Sequence, residues 1–319
     1  MTAVLRLPRF RAMGAAIEHC HGVAGAHEVP SHGIPHGSQP NKSHSALRSH
    51  LSASPVVRRG EQGNSIVLEV GRGKAMNSNS VDLVIGAGSG IGRALIDRWQ
   101  EVAARPVLAV ARAPDALACF KALESVQTSA CDYSDAALTA LAETLREEKK
   151  DVARLVICNG VLQGEGFRPE RALNQIEESA MRQVFEVNAF LPMRVLAALS
   201  PLLKRSTAPR IAVLSARVGS IGDNRLGGWY SYRGSKAALN MMLQCAALEL
   251  RRLNPAAKIM AYHPGTVDTP LSQPFQTNVA PEKLFSPDRA AEALDTVLSS
   301  LEADGELSYL DWRGESIPW

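Results

Sequence analysis

V-D-L-V-I-G-A-G-S-G-I-G-R-A-L-I-D-R-W, residues Val81 to Trp99, opens as a short apolar run, turns through glycines and continues with helically spaced apolar residues. A strand that turns through glycines into a helix leaves free backbone N–H groups, and the positive end of a helix dipole, where a pyrophosphate can sit. Gly86 permits the tight turn, Gly90 the close approach of a ligand and Gly92 close helix packing, with Ser89 and Ile91 between them. Taken alone, the pattern fits a phosphate cradle or a plain tight loop.

The chain beyond this turn decides between them. Strand patterns at Val107–Ala111, Val126–Ala130, Leu155–Cys158, Ile211–Leu214, Lys258–Tyr262 and Glu306–Leu310 alternate with helical ones. The helical patterns are Asp115–Glu124, Asp135–Lys149, a long one from Asn174 to about Leu203 with a kink expected at Pro192, Tyr232 to about Arg252, and Pro287–Leu301. Regular β/α alternation implies a parallel sheet covered on both faces, and right-handed crossovers make it doubly wound: an α/β, Rossmann-type single domain. In that architecture ligands bind at the carboxyl ends of the strands.

The first quarter is different in kind. Of 319 residues 45% are hydrophobic, ample for a large core, and the formal charge is only +3. Residues 1–75 carry nine Lys/Arg against four Asp/Glu, and the rest 26 against 28, so the basic balance points to no nucleic-acid surface on the globular part. Seven of the eight histidines (His19, His21, His27, His32, His36, His44 and His50) also lie before Met76, among Gly, Pro and Ser without hydrophobic periodicity. Residues 1–75 therefore read as a disordered extension and 76–319 as the folded domain, with Met76 a candidate natural start. Irregular histidine spacing argues against a metal site. Five cysteines (Cys20, Cys119, Cys131, Cys158 and Cys245) form no C-x-x-C pair and suit a reducing, cytoplasmic compartment. No run of about 18 uninterrupted apolar residues exists, so no membrane span is expected.

Chemistry is concentrated in W-Y-S-Y-R-G-S-K-A-A-L-N-M-M, Trp229 to Met242. Tyr232 and Lys236 are four apart, on one face of a helix. A free phenol titrates near 10, and a neighbouring ammonium is expected to lower that value and bring proton transfer within reach.

From Met76 onward the sequence resembles the short-chain dehydrogenase/reductase family, in particular its small C-factor and sniffer-like carbonyl reductases. The resemblance rests on G-x-x-x-G-x-G at Gly86, Gly90 and Gly92, Gly160 after the fourth strand, Asn188 in the long helix, Y-x-x-x-K at Tyr232 and Lys236, and P-G-x-V-x-T at Pro264, Gly265, Val267 and Thr269. It implies a nicotinamide cofactor bound by these glycines with Ser89, Ile91, Asn159 and the Pro264–Thr269 motif. It also implies Tyr232 as proton donor to a carbonyl, Lys236 beside it and on the nicotinamide ribose, Asn188 holding a water chain, and a homodimer or homotetramer formed through the Asn174 and Tyr232 helices. No acidic residue ends the second strand, where Arg112 follows Ala111, so NADP(H) is favoured over NAD(H), with Arg93 assisting or merely solvated. Asp132 resembles an adenine-contacting acid, or is a helix N-cap.

One departure stands out. The family's carbonyl-orienting serine falls at Ala216, in L-S-A-R-V-G-S, and Ser215 and Ser220 flank it. Ser215 is the expected replacement if a bulge turns it inward, with Ser220 the alternative; failing both, a nucleotide-binding sensor with little turnover becomes the competing reading. Leu162, Trp229 and Phe275 suggest an apolar pocket under a lid of residues 269–286, for a small carbonyl or alcohol substrate.

Overall fold

The computed structural model describes residues 79–102 and 104–319. The expected extension 1–75, with its histidines and Cys20, lies outside the described residues.

Seven strands form one all-parallel sheet: β1 (Ser80–Ile85), β2 (Val107–Ala111), β3 (Val126–Ala130), β4 (Asp151–Ile157), β5 (Arg210–Leu214), β6 (Lys258–His263) and, after a small two-stranded pair β7 (Thr266–Val267) and β8 (Leu284–Phe285), β9 (Ser308–Asp311). Their order across the sheet is β3-β2-β1-β4-β5-β6-β9, reversing direction between β1 and β4. The helices are α1 (Gly90–Val102), α2 (Asp135–Glu147), α3 (Glu178–Phe185), α4 (Leu191–Leu203), α5 (Tyr230–Leu253) and α6 (Pro287–Ser300).

Alternation along the strands feeds two cores. Leu83 and Ile85 of β1 pack with Leu138, Leu199 and Leu239 of α2, α4 and α5. Val84, between them, packs with Leu95 and Leu294 of α1 and α6 on the other face. The sheet is thus doubly wound, as expected.

Three local departures have physical causes. The expected helix Asp115–Glu124 is a 3-10 helix, Pro114–Phe120. Leu117, Phe120 and Leu123 meet the core at intervals of three, the period at which 3-10 side chains align. Strand β4 starts at Asp151, ahead of the expected Leu155, although Arg154 lies inside it. Arg154 is accommodated because its Nη2 donates to the fully buried Asp82 at 2.5 Å and its Nη1 to Asp295 at 2.9 Å. Arg105 also donates to Asp82, at 3.0 Å. The long helix is interrupted just before Pro192 by a π-helical turn, Glu186–Phe190.

The combined run Glu178–Leu203 is long and apolar enough to cross a membrane, but half of its most apolar window is buried inside the domain. Val195, Leu199 and Leu203 of α4 point into the sheet-facing core.

Candidate active site

Two adjoining cavities of about 500 and 550 Å³ open at the carboxyl ends of the strands and share Gly88, Ser89, Cys158, Asn159 and Gly160 in their walls. They sit where the strand order reverses, the expected crevice for a dinucleotide.

The larger cavity is built on the glycine turn. Gly86 has φ +83°, and a Cβ there would come within 3.0 Å of Asn159 Oδ1, a buried oxygen with no protein partner. At Gly92 a Cβ would meet the Gly86 carbonyl at 2.7 Å and Ser89 Oγ at 2.9 Å, which is the close helix packing read from sequence. Ser89 Oγ accepts a hydrogen bond from Gly92 N at 3.0 Å. Gly90 lines the adjoining cavity, and its missing Cβ also leaves room for Thr269 Cγ2, at 2.9 Å, so this glycine admits the Pro264–Thr269 loop as well. Arg112 is exposed on the rim and forms no ion pair among the described residues. Arg93 reaches the Ala116 carbonyl at 3.5 Å instead and does not line either cavity. Asp132 is exposed and outside both linings; it accepts from Ser134 N at 2.8 Å, which holds its carboxyl below the usual range, and the actual N-cap of α2 is Ser134. An orphaned buried acceptor, a cradle that side chains would fill and a guanidinium on its rim fit a nicotinamide dinucleotide.

The smaller cavity holds Tyr232 and Lys236, in the first two turns of α5. Lys236 Nζ lies 5.9 Å from the Tyr232 ring centroid and donates to the Leu214 carbonyl at 2.7 Å. The lysine had been expected to lower the phenol's pKa; burial dominates instead, pushing Tyr232 up to about 12 and Lys236 down to about 7. At neutral pH the phenol keeps its proton.

Asn188 is fully buried in the π turn. Its Oδ1 accepts from Val161 N at 2.7 Å, and its Nδ2 donates to the Val161 carbonyl at 2.8 Å and to Ser235 Oγ at 3.1 Å. The side chain therefore ties the loop after β4 to the helix that carries Tyr232. Both amide protons are committed to protein, leaving only an oxygen lone pair for a water.

The two candidate serines have other partners, and Ala216 between them is extended (φ −156°, ψ 144°). Ser215 borders the cavity, but its hydroxyl donates to the buried Asn240 Oδ1 at 2.7 Å. Ser220 caps a loop, accepting from Asp223 N at 3.0 Å, and lines neither cavity. The Ala216 methyl packs with Leu162, Val184 and Tyr232 where a hydroxyl was looked for.

The expected apolar residues converge. Leu162, Trp229 and Phe275 all line the Tyr232 cavity, and Trp229 meets Phe275 edge-on at 5.1 Å. The stretch over the cavity contains the 3-10 helices Gln273–Asn278 and Pro281–Lys283, and its two ends are joined by the β7–β8 pair. Pro264, Gly265, Val267 and Thr269 lie in the same wall. So does His263, which the motif reading passed over although it directly precedes Pro264 and is the one histidine after residue 75.

Comparison with known proteins agrees with this geometry. Residues 80–280 match the short chain dehydrogenase family. The C-signal protein of Myxococcus xanthus is 32% identical over 148 residues, covering 46% of this chain and 84% of that protein. The 1-hydroxy-2-glutathionyl-2-methyl-3-butene dehydrogenase of Rhodococcus sp. (strain AD45) is 29% identical over 246 residues, 75% of this chain and all (100%) of that one. A short-chain dehydrogenase/reductase from Burkholderia multivorans with bound NADP superposes with a TM-score of 0.64 at 25% identity, covering 76% of this chain and 100% of its own. The carbonyl reductase Sniffer of D. melanogaster shares the fold, with a TM-score of 0.65 at 20% identity over 76% of this chain and 99% of its own.

Proposed function

The chain belongs to the short chain dehydrogenase family of NAD(P)-dependent oxidoreductases, and from that premise we propose that it reduces a small, largely apolar aldehyde or ketone, with Tyr232 as proton donor and NADPH preferred over NADH. The observation that carries the reading is the shared wall: Tyr232 and Lys236 line an apolar cavity that joins the glycine-built one through Gly88, Ser89 and Gly160. The nicotinamide, when bound, supplies the hydride.

The protein's own part is proton supply and enclosure. A phenol held up at about 12 by burial is protonated at neutral pH, which suits the reducing direction, where the carbonyl oxygen must gain a proton. Lys236, brought to about 7, exchanges its proton readily at the same pH, from a position where it also faces Gly160. Leu162, Trp229, Leu271 and Phe275 exclude water from the reacting groups. The unpaired Arg112 guanidinium at the end of β2 favours a 2′-phosphate. The exposed Phe190 and Met241, on the α3–α4 run and α5, suit association into a homodimer or homotetramer, and cysteines without a C-x-x-C pair suit a cytoplasmic setting.

The second reading, a nucleotide-binding sensor with little turnover, draws its support from the methyl of Ala216 beside Tyr232. One experiment separates the two: NADPH consumption with a panel of aldehydes and ketones, beside thermal shifts with NADPH and NADH. The reductase reading expects turnover and a larger shift with NADPH, since a ligand that binds only the native state stabilises it. Binding without turnover across the panel would establish the sensor.

A further inference from the structure

The Tyr232 cavity needs a second hydrogen-bond donor to fix a carbonyl, and its usual source is missing. Ser215 gives its proton to Asn240 at 2.7 Å, Ser220 lies outside the wall, and Lys236 is held by the Leu214 carbonyl at 2.7 Å. Arg217, also in the wall, donates to Asp223 at 2.6 Å.

His263 is one of several polar side chains of that wall without a hydrogen bond among the described residues, with Asn159 (at Oδ1), Thr266 and Trp229, and of these it is the one paired with the Ser215–Ala216 stretch. It ends β6, beside the end of β5: the ladder between them continues through Ser215 N donating to the Tyr262 carbonyl at 2.8 Å, which puts His263 next to the Ser215–Ala216 stretch. Its Nδ1 is buried with no hydrogen-bond partner, whereas Nε2 keeps accessible surface and also has none. An orphaned buried N–H is rarer than an under-satisfied acceptor, so the enclosed Nδ1 keeps its lone pair and the single ring proton sits on Nε2. Enclosure disfavours the imidazolium more than Asp311, paired with His263 across β6 and β9, favours it; Arg217 adds to the opposition, and the ring is pushed down to about 4. At neutral pH it is an uncharged imidazole with one N–H to give.

We propose that His263 orients the substrate by donating Nε2–H to the carbonyl oxygen that Tyr232 protonates, taking the place that a serine hydroxyl would hold at position 216. No bond to His263 forms or breaks; it stays neutral throughout, and the proton that reaches the product comes from Tyr232. This inference rests on the reductase reading.

The test uses the full chain with NADPH and the best substrate of the carbonyl panel. His263→Leu is expected to lower kcat/KM at least tenfold with NADPH affinity unchanged, as loss of one donor to a developing oxyanion does (about 100-fold or more in kcat in well-organised sites). His263→Gln, which keeps an N–H, falls less. The decisive arm is Ala216→Ser in the His263→Leu background, where a hydroxyl restored beside Tyr232 recovers at least fivefold. Activity of His263→Leu within twofold of wild type, a loss matched by weakened NADPH binding, or no recovery from Ala216→Ser would each overturn the proposal. A wild-type chain that turns over no carbonyl at all would overturn the reductase reading itself, and the proposal with it, a result visible before any variant is made.

Discussion

The two halves of the cleft are built on opposite principles. On the β1–β2 side the fit is made by backbone and by atoms left out: Gly86 at φ +83°, Gly92 with no space for a Cβ, and an orphaned Asn159 oxygen. Past Tyr232 the fit is made by side chains, most of them apolar, with Ala216 in the place of a hydroxyl and His263 unpaired. The β1–β2 side has little room for substitution because backbone cannot move aside, whereas the Tyr232 side can exchange one polar side chain for another. That difference explains why the first is plainly marked in the sequence and the second is not.

The comparison can be broken most sharply at Gly92. A methyl there meets backbone at 2.7 Å, so Gly92→Ala is expected to abolish the thermal shift with NADPH and to lower the melting temperature. Overpacking of this kind costs about 1–3 kcal/mol, and each kcal/mol is worth about 2–4 °C at this size. An unchanged response to NADPH would mean that the cradle is not where the dinucleotide sits. Smaller, and selective, is Arg112→Ala: NADPH affinity is expected to fall about tenfold, the size of one charge-assisted contact of about 1.5 kcal/mol. NADH affinity should stay the same, and an equal loss for both would remove Arg112 from cofactor choice.

The smallest effect sharpens the substrate side. Lys236 titrates near 7 when folded against an ordinary 10.5. Below about pH 7 both states hold the proton and the folded state bears the full cost of a buried charge. Between 7 and 10.5 only the unfolded chain holds it, so stability rises with pH. Lys236→Met should therefore melt several degrees above wild type at pH 6.5, by calorimetry, and the gap should narrow toward pH 10. A gap independent of pH would mean that the lysine is not held in this way.

Much of the fold was legible because strand periodicity and glycine turns are local. Val81–Ile85, Val107–Ala111 and Val126–Ala130 lie within the strands where the apolar runs placed them. The expectations that failed depend on partners remote in sequence. Strand β4 extends back over Arg154 because Asp82 and Asp295 neutralise it, and neither is near in the chain. The two-residue strands β7 and β8 are too short for any period to appear and exist only through each other. Ser215 was assigned inward because a hydroxyl was wanted there; its direction is set by Asn240, 25 positions on. The Tyr232–Lys236 pair was read correctly as neighbours on a helix, but the sign of the pKa effect was not, since four-residue spacing says nothing about how deeply both are buried. His263 carried a usable signal, a lone histidine at a strand end before Pro-Gly, and only its unpaired nitrogens distinguish it from a packing residue.

The central claim is that Tyr232 hands its proton to a bound carbonyl. The direct measurement is the rate of NADPH oxidation by wild type and Tyr232→Phe with the same substrate, at saturating cofactor. The account predicts that the variant binds NADPH as wild type does and loses at least about 100-fold in kcat, the contribution of a positioned general acid. A Tyr232→Phe chain that reduces the substrate within a few-fold of the wild-type rate would contradict it.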